Sequence, residues 1–316
     1  MPNPRILLIG AGSMGSLHAR VISQSPLAEL ATVVDPREDV GGAIAGRFGA
    51  AWMPELGDLS GIDGVVIAAA TEAHYDLALT VLDARLPLLV EKPVTDGLEK
   101  TLAILDRAEE RGVPIMCGLL ERFNPAVVTA KALVESPVYV TATRHSPYAP
   151  RIRTGVSWDL LVHDVDLAIG ILGSTPTLVT GSLAQFHPDS VDGAEDVAEV
   201  VLGFKSGKMA HISASRVGQR KIRTLSIHEL DRLIEVDLLR RDVTVYHHVS
   251  GQADDDGRGY KQQTVIEIPE LVTSQEPLAA QLEHFVGLIA GTVDADVERR
   301  SIVPSHRVVE QLKQLR

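Results

Sequence analysis

Residues 5–20, RILLIGAGSMGSLHAR, decide how this chain begins to fold. The apolar run 6–9 predicts a strand buried on both faces, since a parallel strand covered by helices on each side shows no polar alternation. Three glycines follow in the pattern GxGxxG and lead into an amphipathic helix. They let the chain turn, let the backbone approach a pyrophosphate, and let the helix pack on the strand. The residues predicted to bind a dinucleotide at this helix N-terminus are Gly10, Gly12, Ser13, Met14 and Gly15.

A second apolar strand, residues 30–34, ends in Asp35, 20 residues after the last glycine of the motif. A carboxylate at this distance commonly accepts hydrogen bonds from the adenosine ribose. It predicts NAD as the cofactor, because a carboxylate repels the 2′-phosphate of NADP. Arg37 is a further candidate cofactor contact that can reduce this repulsion, so NADP stays possible. The alternative interpretation is a Rossmann-like domain that binds no cofactor.

The chain up to residue 121 continues to alternate strands with helices. Apolar runs predict strands within 64–69, 86–94 and 113–120, with helices over 73–84 and 98–112. This order indicates right-handed parallel crossovers, and therefore a doubly wound Rossmann sheet. Sheets of this type bind ligands at the carboxyl ends of their strands.

Beyond residue 121 the pattern changes, because apolar and polar residues alternate without intervening helices. Strands are predicted at 138–144, 197–204, 209–215, 223–228 and 233–238. Helices are predicted at 157–172 and 278–289, and the acidic run 254–259 is predicted to be a hairpin tip. The predicted fold is therefore α/β plus α+β. Residues 1–121 form a dinucleotide-binding Rossmann domain, and residues 122–316 form an open-faced, mainly antiparallel sheet domain for substrate binding and oligomerisation.

Composition narrows the class of protein. The chain has 316 residues, 45% of them hydrophobic, and a net charge of -12, which argues against nucleic-acid binding through clustered basic residues. The first residues lack the apolar stretch of a signal peptide, and the single cysteine, Cys117, cannot form an internal disulfide. We expect a cytoplasmic protein that needs no membrane. The uncovered face of the predicted second sheet favours association into a homo-oligomer.

Glu91, Lys92 and Pro93 end the fourth predicted strand. Proline disfavours helical geometry at the preceding residue, so Lys92 is expected to be extended at the carboxyl edge of the sheet. A lysine beside a bound cofactor can give or take a proton. A surface lysine in a turn is the alternative.

Asp159 and His163 are four residues apart on the predicted helix 157–172. At this spacing they share a helix face, where a carboxylate can orient an imidazole. A helix-start aspartate beside a structural histidine is the alternative. A metal site that includes Asp166 is a third option, but the chain offers no second well-spaced histidine, so no metal is expected.

Taken together, GAGSMG, Asp35, Thr71 with His74, the Glu91-Lys92-Pro93 run, and Asp159 with His163 resemble the Gfo/Idh/MocA oxidoreductases. The resemblance implies an NAD(P)-dependent dehydrogenase of sugars or cyclitols. It implies that Lys92, Asp159 and His163 act on the hydroxyl being oxidised, and that Thr71, His74, Glu91 and Lys92 contact the cofactor. Two departures affect the nicotinamide pocket and the substrate fit. Thr71 is followed by Glu72 instead of proline, and residues 156–158 replace the glycines usual before the aspartate.

Three further runs resemble the branch of this family that oxidises a hydroxyl of UDP-N-acetylglucosamine to a ketone. They are ERFNPAV (121–127), HDVD (163–166) and EPLAAQLEHF (276–285). The run 144–153, RHSPYAPRIR, carries three arginines in an otherwise acidic chain, and arginine suits diphosphate recognition through paired hydrogen bonds. A solvated loop is the alternative. The predicted substrate-binding residues are Arg122, Arg144, Tyr148, Arg151, Arg153, Asp159 and His163.

Two other functions stay open from the sequence. One is a dehydrogenase of a free sugar or inositol, for which the arginine run is incidental. The other is a non-catalytic regulator that binds the dinucleotide without turnover, and the presence of Lys92, Asp159 and His163 argues against it.

Overall fold

The structure is a computed structural model that describes residues 2–150, 152–251 and 261–315. The chain divides into two compact units. One comprises the residues up to Leu120 together with Gln275–Glu310, and the other comprises Glu121–Ser274 together with the residues from Gln311. The predicted division at 121/122 differs at the C-terminal end, where it placed residues 275–310 in the second domain.

The packing of a C-terminal helix explains this difference. Phe285 is completely buried, and its ring lies so close to Gly64 that a Cβ there would come within 3.2 Å of it. A Cβ at Gly64 would also meet Ile6, which belongs to the first strand, at 3.3 Å. The helix therefore covers the first sheet, although its sequence follows the second.

Within the described residues the helices have the following bounds: α1 Ser13–Gln24, α2 Glu38–Phe48, α3 Thr71–Asp83, α4 Leu98–Arg111, α5 Pro125–Leu133, α6 Val162–Leu172, α7 Pro277–Ile289 and α8 Ala295–Gln314. Their helical faces explain their positions. In α1, for example, the buried residues Gly15, His18, Ala19 and Ile22 recur at helical spacing. None of the helices in the described part of the chain is both long and apolar enough to span a bilayer.

The first unit contains a parallel sheet. Its strands are β1 Arg5–Ile9, β2 Glu29–Val34, β3 Ala51–Met53, β4 Gly64–Ile67, β5 Leu88–Val90 and β6 Ile115–Cys117. The strand order β3-β2-β1-β4-β5-β6, with every pair parallel, is that of the doubly wound dinucleotide-binding fold. The predicted Rossmann sheet is confirmed. Strand β3 was not predicted, because its three residues are exposed or half-buried and form no buried apolar run.

The second unit contains a larger sheet. Its strands are β7 Tyr139–His145, β8 Leu178–Ala184, β9 Val197–Gly203, β10 Met209–Ser215, β11 Ile222–His228, β12 Arg232–Asp237, β13 Asp242–Gly251 and β14 Lys261–Glu267. They pair in the order β14-β13-β12-β11-β7-β10-β9-β8, and only the β7–β10 pair in the described sheet is parallel. The mainly antiparallel fold is confirmed, although β8, β13 and β14 were not predicted. The predicted hairpin tip at 254–259 lies outside the described residues.

Every second residue of β7 and of β9 is buried, and the residues between them are half-buried. Along these two strands one face is therefore buried and the other only half-buried, as the alternation in the sequence predicted. The helix predicted over 157–172 is not a single α-helix. It begins as a π-helical turn, Ser157–Leu161, and continues as α6.

Candidate active site

The glycine loop connects β1 to α1 and fits a dinucleotide. A Cβ at Gly10 would lie 2.6 Å from the carbonyl oxygen of Ala68, and a Cβ at Gly15 would lie 1.9 Å from that of Gly10. Both positions therefore require glycine. A Cβ at Gly12, the residue before α1, would meet no described atom within 4 Å. Within the described chain no side chain caps α1, so its N-terminal amides can bind a phosphate group.

Asp35 follows β2 and is bound to this loop. Its carboxylate accepts hydrogen bonds from the backbone N–H of Ala11 at 2.8 Å and from that of Arg37 at 3.0 Å. The Arg37 guanidinium donates two more, both at 2.9 Å. The guanidinium outweighs the effect of burial and, with these amides, lowers the pKa of Asp35 to about 2. Asp35 is therefore an anion at neutral pH.

These four donors occupy the lone-pair positions that a carboxylate offers. A ribose hydroxyl can donate to Asp35 only by replacing one of them. The Arg37 side chain is 57% exposed, so it is the donor that can move. Once displaced, its guanidinium is available to a 2′-phosphate, which is the physical basis on which NADP stays possible.

Lys92 follows β5 in the run Glu91–Thr95, in which it is the one residue that is not buried. The Lys92–Pro93 peptide is cis. The carboxylate of Glu91 contacts the ring of His18 at 2.7 Å, and His74 contacts the carbonyl oxygen of Pro93 at 3.0 Å. The predicted residues Glu91, Lys92 and His74 are thus brought together at one edge of the first sheet.

His74 itself is buried, and both of its ring nitrogens contact backbone carbonyl oxygens. Its predicted contact with the cofactor is not supported, because these carbonyls occupy both nitrogens. Thr71 begins α3 after β4, at the carboxyl edge of the sheet, as predicted.

In the second unit, Asp159 lies in the π-helical turn and His163 lies in the first turn of α6. His163 is the one residue of the run 161–168 that is not buried. Arg216 lies 3.6 Å from the Asp159 carboxylate, and its guanidinium donates to the carbonyl of Thr154 at 2.6 Å. π-helical turns are frequent at functional sites.

Glu195 holds the start of this turn. It is fully buried, and one of its carboxylate oxygens accepts hydrogen bonds from the backbone N–H of Ser157, at 3.0 Å, and from the Ser157 hydroxyl. A Cβ at Gly155 would collide with the Glu195 carboxylate at 2.3 Å. Gly155 therefore leaves the space in which Glu195 can reach Ser157.

Arg144 does not bind substrate as predicted. It is 2% exposed, and its guanidinium donates to both oxygens of Asp164, at 2.7 and 2.8 Å, and to Glu121 at 2.8 Å. Burial alone would lower the pKa of Arg144, but the two carboxylates outweigh it and raise the pKa. Arg144 is a structural cation that a diphosphate cannot reach.

The remaining predicted substrate residues are placed differently. Arg122 donates to both oxygens of Asp166, at 2.7 and 2.6 Å, and its side chain is 18% exposed. Tyr148 stacks on His187 with ring centroids 3.6 Å apart, and its hydroxyl donates to the carbonyl of Asp189 at 2.7 Å. Arg153 is exposed. Arg151 lies outside the described residues.

Five residues with the polar contacts described here were not predicted as site residues: His18, Glu121, Asp164, Glu195 and Arg216. One of them had a usable signal, because His18 shares the buried face of α1 with Gly15 and Ile22. For Arg144, which was predicted to bind substrate, the alternation with the buried Val140 and Ala142 along β7 indicates a buried position instead. Among the described residues, no group of three or more His, Cys, Asp or Glu side chains is arranged to hold a metal ion.

Residues 4–119 match a family model described as "Oxidoreductase family, NAD-binding Rossmann fold", and residues 128–229 match the "GFO/IDH/MocA C-terminal domain". The chain belongs to the Gfo/Idh/MocA oxidoreductase family. It is thus an NAD-binding oxidoreductase, and the glycine loop and Asp35 fit that cofactor.

The curated proteins to which this chain is similar include two named dehydrogenases. UDP-N-acetylglucosamine 3-dehydrogenase of Acidithiobacillus ferrooxidans is 28% identical over 92% of this chain and 90% of its own. Inositol 2-dehydrogenase of Rhizobium meliloti is 30% identical over 67% of this chain and 68% of its own. A solved structure of the Acidithiobacillus enzyme superposes with a TM-score of 0.85 at 26% identity, covering 99% of this chain and 97% of the other.

The pairing of Arg144 gives a first prediction. Replacing it by Met should lower the free energy of unfolding by about 3–5 kcal/mol, because the buried Asp164 loses its paired cation and Glu121 keeps only Arg223, at 3.4 Å. The measurement is chemical or thermal unfolding of the full chain. The exposed Arg153 is the matched control, and Arg153→Met should change stability by less than about 0.5 kcal/mol. An equally small effect of Arg144→Met would contradict the structural role.

The carboxylate of Asp35 gives a second prediction. Asp35→Asn should raise the Kd for NAD about tenfold, which corresponds to about 1.4 kcal/mol for hydrogen bonds to a charged group. The Kd for NADP should change less, because Arg37 is released from its carboxylate. Calorimetric titration with both cofactors measures this, and Asp58→Asn, at an exposed turn of the same unit, is the control. Parallel losses for NAD and NADP would show that Asp35 does not discriminate between them.

Proposed function

We propose that this enzyme uses NAD to oxidise a secondary hydroxyl of a UDP-sugar, such as C3 of UDP-N-acetylglucosamine, to a ketone. The observation that carries the proposal is the share of this chain that each relative matches. The UDP-N-acetylglucosamine 3-dehydrogenase aligns with 92% of the chain, whereas the inositol dehydrogenase aligns with 67%. The longer match leaves out only 8% of the chain, so it includes most of the second unit, in which the predicted substrate residues lie.

The reaction removes a hydride and a proton from one carbon–oxygen pair. The nicotinamide accepts the hydride when NAD is bound. Lys92 and His163 are the candidate proton acceptors, because each is the one residue of an otherwise buried run that is not buried. Asp159, four residues before His163, is the candidate to orient the imidazole. Positioned proton transfer contributes about two to four decades in rate.

The diphosphate of the substrate needs exposed cations. Arg144 cannot serve, since its charge is used by Asp164 and Glu121. Arg153, which is exposed nine residues later, is the candidate from the described part of the run. A chain with a net charge of -12 opposes a dianionic ligand, so a local cation would offset this field where the ligand binds.

The proton-transfer residues can be tested directly. Lys92→Met and His163→Ala should each lower kcat about 100-fold or more, while the Kd for NAD changes little, because each removes a proton acceptor and spares the glycine loop. Asp159→Asn should lower kcat less than these two substitutions do, since an amide can still hold the imidazole ring. Absorbance of the reduced cofactor follows turnover. Near-normal kcat in the Lys92 variant would remove Lys92 from the mechanism.

The substrate class is tested with Arg153→Ala. If Arg153 contacts the diphosphate, KM for UDP-N-acetylglucosamine should rise about ten- to hundredfold, since a charge-assisted hydrogen bond contributes about 1.5–3 kcal/mol. KM for a free sugar should not change. Arg240→Ala, an exposed arginine between β12 and β13, is the control.

Two outcomes separate the rival functions. Wild-type turnover of inositol or a free sugar, with none of UDP-N-acetylglucosamine, would favour the inositol dehydrogenases that also match this chain. Clear binding of NAD without turnover of any sugar would favour a regulator.

We also propose that the protein is a homodimer or homotetramer. One face of the second sheet is covered by its own unit and the other carries half-buried and exposed side chains, including Leu178 and Met209. A second copy can cover this face. Light scattering should give a mass of two or four times 34.0 kDa, and a mass near 34.0 kDa at micromolar concentration would contradict the proposal.

A further inference from the structure

Three buried histidines contact the segment Glu91–Val94, which we call the lysine segment. They are His18 of α1, His74 of α3 and His306 of α8, with exposed fractions of 3%, 1% and 0%. All three belong to the first unit, and they reach the segment from three different helices. They contact Glu91, Pro93 and Val94, which are the residues immediately before and after Lys92 in sequence.

His18 acts on the residue before the lysine. Its Nε2 lies 2.7 Å from one carboxylate oxygen of Glu91, and the other oxygen accepts the backbone N–H of Lys92 at 3.2 Å. Glu91 is only 6% exposed, and a Cβ at Gly118 would come within 2.7 Å of its carboxylate. The carboxylate is therefore packed against the Gly118 backbone. Its two oxygens link the His18 ring to the backbone N–H of Lys92.

His74 acts on the residue after the lysine. Nδ1 contacts the carbonyl oxygen of Pro93 at 3.0 Å, and Nε2 contacts that of Ala69 at 3.1 Å. Ala69 follows β4 and Pro93 follows β5, so the ring links the carboxyl ends of two neighbouring strands. A carbonyl oxygen only accepts hydrogen bonds, so a ring nitrogen bonds to it by donating its proton.

His306 holds the next residue. Its Nδ1 donates to the carbonyl of Ile302 at 2.9 Å, one turn earlier in α8. Nε2 then carries the lone pair and accepts the backbone N–H of Val94 at 3.4 Å. The lysine segment is thus held on both sides of Lys92, by a carboxylate contact before it and by two backbone contacts after it.

We propose that His18, His74 and His306 are positioning residues that set the place of the Lys92 side-chain nitrogen, Nζ, for proton transfer. The inference rests on the proposed function, in which Lys92 is a proton-transfer residue. None of the three rings is exposed enough to act on a substrate itself. Their effect is geometric, and a displacement of about 1 Å in a reacting group can cost about 100-fold in rate.

The kinetic test compares each histidine variant in two backgrounds. His18→Gln, His74→Leu and His306→Leu should each lower kcat about 10- to 100-fold, with KM and the Kd for NAD changed less than about threefold. In a Lys92→Met background the same substitutions should change kcat by less than about twofold, because the group that they position is gone. His74→Gln and His306→Gln keep one hydrogen-bonding partner each and should recover part of the rate.

The matched control is His284→Leu. His284 also belongs to the first unit and contacts Glu298 at 3.0 Å, away from the lysine segment in sequence. Its replacement should leave kcat unchanged. Histidine effects that persist in full in the Lys92→Met background, or an equal loss of rate from His284→Leu, would overturn the proposal. If a leucine variant does not fold, the glutamine variant at the same position is compared in the two backgrounds instead.

A second readout needs no substrate. Reductive methylation with ¹³C-formaldehyde labels the eight lysines, and the Lys92 signal is the one absent from Lys92→Met. The histidine variants should shift or broaden this signal, and His284→Leu should not. If the wild type turns over no sugar, the proposed function fails, while an unchanged Lys92 signal in all three variants shows separately that the histidines do not position it.

Discussion

The first unit depends on a close approach of backbone to backbone between β1 and β4. Gly10 has a φ of +96° and lies where any Cβ would strike the end of β4, and Gly15 lies where a Cβ would strike Gly10. Because no side chain intervenes, α1 can begin at Ser13, three residues after the turn. Its second turn then places the His18 ring against Glu91 at the end of β5. One steric constraint therefore fixes both the phosphate-binding helix N-terminus and one contact of the lysine segment.

The second unit depends on charges that neutralise one another inside it. Arg144 is held by Asp164 and Glu121, and Arg122 is held by Asp166. A buried charge is costly unless it is paired, so each arginine here is needed by the acids around it. The positive charge of an arginine that is neutralised by a neighbouring carboxylate contributes little to the attraction of an anionic ligand. The run 144–153 therefore offers less positive charge to a diphosphate than its composition indicates.

Much of the architecture could be predicted from the sequence, because buried strands such as β1 and β4 are continuous apolar runs. Elements without that signal were missed, including the exposed strand β8 and the helix α8, which contains Pro304. At the glycine loop and Asp35, where residue identity carries the chemistry, the structure has the close backbone approach and the uncapped helix N-terminus that the motif predicts. The prediction that Arg144 binds substrate was wrong, because the role of this residue depends on a partner 20 residues away and on the face of β7 that it occupies. The alternation of Arg144 with the buried Val140 and Ala142 indicates that it occupies the buried face of β7. The prediction followed instead the three arginines of residues 144–153.

The structure also separates polar residues that support the fold from those that can meet a ligand. His18, His74 and His306 are buried and contact backbone or carboxylate groups, whereas Lys92 and His163 are the accessible members of buried runs. Burial removes the freedom of the neighbouring backbone, because each of its polar groups must keep its partner. An accessible side chain on such a backbone loses only its own rotamer freedom when it contacts a substrate. In this enzyme the buried polar residues restrict the backbone around them, and Lys92 and His163, the proposed proton-transfer residues, are the side chains that stay accessible.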